Sequence, residues 1–222
     1  MKILLAGAVV LLLLTGWVGV DTLVPHKSKL REFDPNEVAR LETAMWRSYY
    51  AHQRLSLFCQ LDETLRTQYH MPFWKSEWTA FQMAKAAFIF KNGKNRADYE
   101  KALPNLRKSY AAVRAMSDID FDIEHAARLE LEWWIIHRER KSQPSQTLEN
   151  ALAELQAELY HVSPASVAEH ARLRAAAMHI RDTKAVSGSV MDDDWVQIDK
   201  LLRDSWQSLY QAVNNNDASV RN

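Results

Sequence analysis

Between Asp21 and Asn222 the chain holds two glycines, Gly93 and Gly188. Glycine reaches the left-handed backbone region at no steric cost, and tight hairpin turns depend on it. A chain this poor in breakers is committed to long helices. No alternating β-branched run of strand type occurs anywhere. The sequence therefore predicts an all-α protein: one N-terminal apolar helix, then a compact bundle or array of six to seven antiparallel helices.

Caps and prolines set the expected helix ends. In "FDPNEV", Asp34 precedes Pro35 and can cap the helix, and Glu37 has the capping-box spacing. Pro72 opens "PFWKSEWTAFQMAKAAFIFKNG", with Gly93 as its C-terminal cap. Ser163 and Pro164 repeat the cap-then-proline order. These signals predict helices near 35–69, 72–91, 96–117, 121–141, 145–161, 164–185 and 192–213, with Pro104 kinking or dividing the third. The breaks "KSQPSQ" and "SGSVMDDD" are short. The expected division is a transmembrane signal-anchor at 1–24, a linker at 25–33, one helical domain at 34–213 and a disordered tail at 214–222.

From Ile3 to Val20 the N-terminus carries no charge. At about 1.5 Å per residue that stretch covers about 27 Å, close to the hydrocarbon thickness of a bilayer. Cleavable signals have a shorter apolar core and a small-x-small site, whereas this end reads "TGWVGVD". The reading is an uncleaved single-span anchor in the cell (inner) membrane. Lys2 and the N-terminal amine compete with Lys27, Lys29 and Arg31 for orientation. The charge count alone leans toward a cytoplasmic body. Against it, a short basic head before a long apolar core is the layout of an export signal and favours an extracytoplasmic, periplasmic body.

Twenty-eight basic residues balance 28 acidic ones, so no field gathers phosphate backbones and nucleic acid is not an expected partner. The single cysteine, Cys59, forms no intramolecular disulfide, and its setting in "LSLFCQL" reads as a small buried hydrophobe.

The stretch "RLELEWWIIHRER" is apolar on two sides of a helix. Leu129, Trp133 and Ile136 form one face, and Leu131, Trp134 and Ile135 the other, which predicts an interior helix. Arg128 and Glu132 have i,i+4 spacing for an ion pair. Glu130 and His137, two turns apart, read as hydrogen-bonded seam residues between helices; the alternative is a pair of metal ligands or an acid/base pair.

Carboxylate-bridged metal bundles need single glutamates from two helices and a Glu-x-x-His turn from each of two others. One such turn is present, Glu158 to His161, and Asp122 with His125 has the spacing with the shorter acid. Glu42 and Glu77 are candidates for the single glutamates, so the metal candidates are Glu42, Glu77, Glu130, Glu158 and His161. HExxH, GxGxxG, GxxxxGK[ST] and GxSxG are missing. His52, His70, His170 and His179 are scattered singly and read as satisfied helix residues; Arg181 and Asp182, as neighbours, point to different sides and read as structural ion-pair partners of other helices. No catalytic residue and no cofactor is assigned.

Eight tryptophans are present, seven of them past the anchor. Trp74 and Trp78 share a helix face, and Trp46 lies with Tyr49 and Tyr50 in "MWRSYYAH". Aromatic stripes of this kind read first as core; the alternatives are a pocket for a flat or apolar ligand, or a partner-binding face anchored by Trp46, Trp74 and Trp78. In residues 84–113, Phe88, Gly93, Tyr99, Ala102 and Leu103 follow the order of a tetratricopeptide hairpin, which this segment resembles. Extra turn residues and Pro104 depart from the pattern, and no second copy follows at the expected period. The resemblance implies paired antiparallel helices and binding of peptides or proteins.

The functional expectation is a membrane-anchored, non-catalytic interaction, scaffold or accessory subunit of a bacterial membrane-associated assembly, with protein partners. The alternatives are a bundle-core carboxylate metalloprotein of di-iron or di-manganese type, and a carrier of an apolar ligand in a tryptophan-lined pocket.

Overall fold

The computed structural model describes residues 2–24, 26–139 and 145–219. The expected all-α architecture is found, and among the described residues no strand forms beyond one isolated bridge between Ser28 and Ser117. The helices are α1 (Lys2–Leu23), α2 (Pro35–Tyr50), α3 (Arg54–Thr67), α4 (Phe73–Asn92), α5 (Arg96–Glu100), α6 (Leu103–Met116), α7 (Ile123–Arg138), α8 (Ser145–Tyr160), α9 (Ala168–Ser187) and α10 (Asp192–Ser219), with a 3-10 turn at Pro164–Val167 before α9. In α1 the window Ala6–Leu23 is long and apolar enough to cross a membrane.

Two expected helices are divided. The stretch 35–69 breaks at Ala51–Gln53, where His52 adopts φ 60°, and the stretch 96–117 breaks ahead of Pro104, which sits in the first turn of α6. His70 and His161 also hold left-handed φ, at 52° and 50°. Histidine is enriched in that region among non-glycine residues, so three histidines supply stops that the glycine count did not announce. At the other end of the chain, α10 runs on to Ser219, so the expected tail from 214 is helical where described. The expected break at "KSQPSQ" lies mostly outside the described residues.

Asp34 caps α2 by accepting from the amides of Asn36 and Glu37. The capping box is not completed, because Glu37 turns to Arg40 and the Asp34 amide donates to Gln68. Gly93 ends α4 with an ordinary φ of −68°. Its need for glycine is steric: a Cβ there would lie 2.7 Å from the Tyr99 ring.

Each long helix from α2 onward packs on the next, α4 directly on α6 with the short α5 set against α4 and α7, and α10 returns to pack on α2, so the packing order closes on itself. Ala171, Ala175 and Ala177 let α9 approach closely to the Ile198, Leu202, Leu209 and Val213 face of α10. One core cluster joins α2, α8, α9 and α10, and a second joins α4, α5, α6 and α7. Helix α7 lies between them as its two apolar faces predict, with Trp133 and Ile136 touching the first cluster and Leu131 and Ile135 buried in the second. Arg128 pairs with Glu124 rather than Glu132, and Glu132 pairs with Arg96. The acid N-terminal to the base is the better order on a helix.

The segment expected as a linker is sewn to the body. Ser28 exchanges backbone hydrogen bonds with Met116 and Asp118, Arg31 donates to the Tyr160 carbonyl, and Leu30 and Phe33 are buried.

Candidate functional site: an aromatic chamber between five helices

A chamber of about 470 Å³ opens between α2, α3, α4, α7 and α9. It falls within the range of about 300–1,000 Å³ usual for small-molecule sites. Its walls are aromatic and soft: Trp46, Tyr49 and Tyr50 from α2, Phe90 from α4, Trp133 and Trp134 from α7, with Met45, Met83 and Met178 filling between. The rings stand at angles to one another, Trp133 perpendicular to Trp134 with centroids 6.1 Å apart. Trp46, Tyr49, Tyr50 and both α7 tryptophans are half-buried, so the chamber communicates with solvent.

Charged side chains tie these walls together. Arg174 on α9 donates to Glu42 on α2 from Nε at 2.9 Å and Nη2 at 2.6 Å, and its guanidinium lies over the Trp133 ring. Burial opposes the charge on Arg174, but Glu42, with Glu130 and Tyr110 adding to it, outweighs burial and raises the guanidinium's pKa. Glu130 accepts from the Tyr110 hydroxyl at 2.7 Å and the Trp134 indole N–H at 2.9 Å. Burial, then the Glu130 charge, pushes the Tyr110 phenol well above its ordinary value, so it remains a donor. His137 Nε2 lies 2.8 Å from Asp182 on α9, which also accepts from Arg181 at 3.0 Å. Asp182 therefore makes the expected bond to another helix, while its contact with adjacent Arg181 departs from the expectation that the two point to different sides, and Arg181 stacks on Tyr50. Arg138 closes the end of α4 by donating to the carbonyls of Phe90, Lys91 and Gly93.

The candidate residues divide. Glu42, Glu130, His137 and Trp46 line the chamber. Glu158 instead accepts from the Asp122 amide and lies 3.0 Å from His125, at the N-terminal end of α7. Glu77 sits in the first turns of α4, where burial and Asp62 raise its pKa, and His161 holds the left-handed stop after α8. Among the described residues no group of three or more His, Cys, Asp or Glu gathers as a metal site. Glu130 and His137 each bond a different neighbouring helix, as seam residues do. Every carboxylate on the chamber wall has its partners within the protein, and none of the lining side chains is a serine, threonine or cysteine nucleophile.

Trp74 and Trp78 are not core: they face outward from α4, 37% and 52% exposed. Cys59 is exposed as well, contrary to its apolar setting in the sequence. Sequence reasoning missed Arg174 and Arg138, whose partners lie far along the chain. The Trp46–Tyr49–Tyr50 cluster was the signal that led toward the chamber. Comparison with protein-family models, with curated proteins and with solved structures found no match for this chain.

Proposed function

We propose that this protein is a membrane-tethered, non-catalytic carrier or receptor for a small, neutral, largely apolar ligand, held in the chamber between α2, α3, α4, α7 and α9. The observation that carries this reading is the chamber itself: about 470 Å³ walled by six aromatic rings and three methionines. Rings at mixed angles accommodate flat apolar bodies, and methionines adapt to irregular ones. The wall's acids and arginines neutralise one another, which favours an uncharged ligand over an ionic one. An apolar ligand partitions into lipid, and a chamber strapped to an anchor helix is well placed to receive it. The body is assigned to the extracytoplasmic face from the basic head and long apolar core of the N-terminus.

The test is co-purification. The full chain is isolated with its surrounding lipid in polymer-bounded discs, beside an Ala87→Trp variant whose new indole fills the chamber. Organic extracts of the wild type should contain one compound class at near-stoichiometric amount that the variant lacks, with thermal unfolding little changed. Identical extracts from the two folded proteins would overturn the reading. Protease digestion of spheroplasts checks the orientation: a periplasmic body is cut from outside, and a protected body refutes that assignment.

A further inference from the structure

We infer that the outward face of α4 docks into the lipid headgroup region, making the body a second membrane contact beside the α1 anchor. Trp74, Trp78 and Phe81 follow one another at i, i+4 and i+7 with exposures of 37%, 52% and 50%, and exposed Lys85 continues the same stripe at i+11. Three large, partly exposed rings at helical spacing, the first of them edged by Trp17, form a contiguous apolar face, whereas exposed hydrophobes on soluble surfaces are usually scattered. Aromatic rings ending in a lysine are the composition of an interfacial helix.

Continuity with the anchor identifies the occupant. The Trp17 ring contacts Phe73 and Trp74 at centroid distances of 5.5 and 5.6 Å. The Trp74 amide donates to Asp21 at 2.8 Å, and Lys75 Nζ donates to the Val24 carbonyl at 3.1 Å. Trp17 lies six residues before Leu23, the end of the apolar window, which places it about 9 Å inside that end along the helix. The first turn of α4 is therefore at the depth of the anchor's own apolar residues. Even if α4 stood upright on the membrane, Trp78 and Phe81 would lie only about 6 and about 10 Å further along, within reach of the hydrocarbon edge, and Lys85 would reach the phosphate level. The strap at residues 26–33 prevents the body from standing off on a flexible tether, because its backbone and Arg31 are bonded to the body.

This inference rests on the anchor part of the proposed reading and not on the chamber. The experiment uses the full chain with Cys59→Ser and one new cysteine at a time, Leu12→Cys, Phe81→Cys or Glu154→Cys, each carrying an environment-sensitive fluorophore. The labelled protein is reconstituted into phosphatidylcholine vesicles containing phosphatidylglycerol. Quenching is read with doxyl-labelled lipids and with aqueous iodide. The position-81 probe should be quenched by lipid doxyl groups near the glycerol backbone and be several-fold less accessible to iodide than the position-154 probe on α8. Iodide access at 81 equal to that at 154, with position 12 quenched by deep doxyl groups, would overturn the docking while sparing the anchor. Shielding from both quenchers at 81 would mean that a second copy of the chain covers the stripe, and would also overturn it. A position-12 probe untouched by doxyl lipid would sink the docking and the anchor together.

Discussion

Glu42 and Arg174, 132 residues apart in sequence, meet in a contact where one carboxylate oxygen takes two guanidinium N–H groups and the other takes the Trp206 indole N–H at 2.6 Å. This pins α2, α9 and α10 at the chamber wall, with the two charged side chains only 5% and 13% exposed. Removing one partner leaves the other as an uncompensated buried charge. Arg174→Met alone should cost about 3–5 kcal/mol, whereas pairing it with Glu42→Leu should recover most of that loss. Urea denaturation midpoints of the single and double variants measure both. Additive losses would show that the pair is not coupled.

His170 is fully buried against Trp206, and its Nδ1 lies 3.1 Å from the Ser205 carbonyl. Burial, with the Arg174 charge adding to it, pushes its pKa down to about 3. The unfolded chain takes up a proton near pH 6.5 that the folded chain refuses, so this contribution to stability is complete above that pH. It is lost as pH falls through the window from about 6.5 to about 3, at about 1.4 kcal/mol per pH unit. A His170→Gln variant should lack this component. Subtracting its stability curve from the wild type's between about pH 7.5 and about pH 5 isolates the effect, and parallel curves would refute it.

Phe33 tests whether the strap belongs to the core. Its ring meets Tyr160, Trp206 and Tyr210. Phe33→Ala should cost about 3–5 kcal/mol, the range for a buried aromatic truncated to alanine. Chemical denaturation checks it, and a change under about 0.5 kcal/mol, typical of surface positions, would return the segment to a passive linker.

Gly93→Ala should destabilise by about 1–3 kcal/mol through overpacking against Tyr99. The position has an ordinary φ, so the loss should be relieved when Tyr99→Leu is added. A double-mutant cycle with no coupling would assign the glycine to backbone conformation instead.

The helices were legible because Asp34, Pro72 and Ser163 mark starts and the apolar residues of α7 repeat on two faces. The break after α2 was not. It rests on His52 in left-handed backbone, a use that composition does not reveal, whereas the break after α3 was announced by Pro72. The strap was hidden because Leu30 and Phe33 sit among charged residues with no period of their own. The chamber was half visible: Trp46, Glu42, Glu130 and His137 stood out individually. Their meeting depends on ring closure between α2 and α10 and on Arg174, an unremarkable position on an alanine-rich helix. The outward turn of Trp74 and Trp78 was unreadable because spacing fixes a shared face but not what lies opposite it.

The most direct test of the chamber places a photoreactive p-benzoylphenylalanine at Trp46 and irradiates intact cells, followed by mass analysis of the purified full chain. A ligand chamber predicts a discrete small-molecule adduct at position 46 that disappears when Ala87→Trp is added. Crosslinks to another protein at that position, or the same adduct in the filled variant, would contradict it.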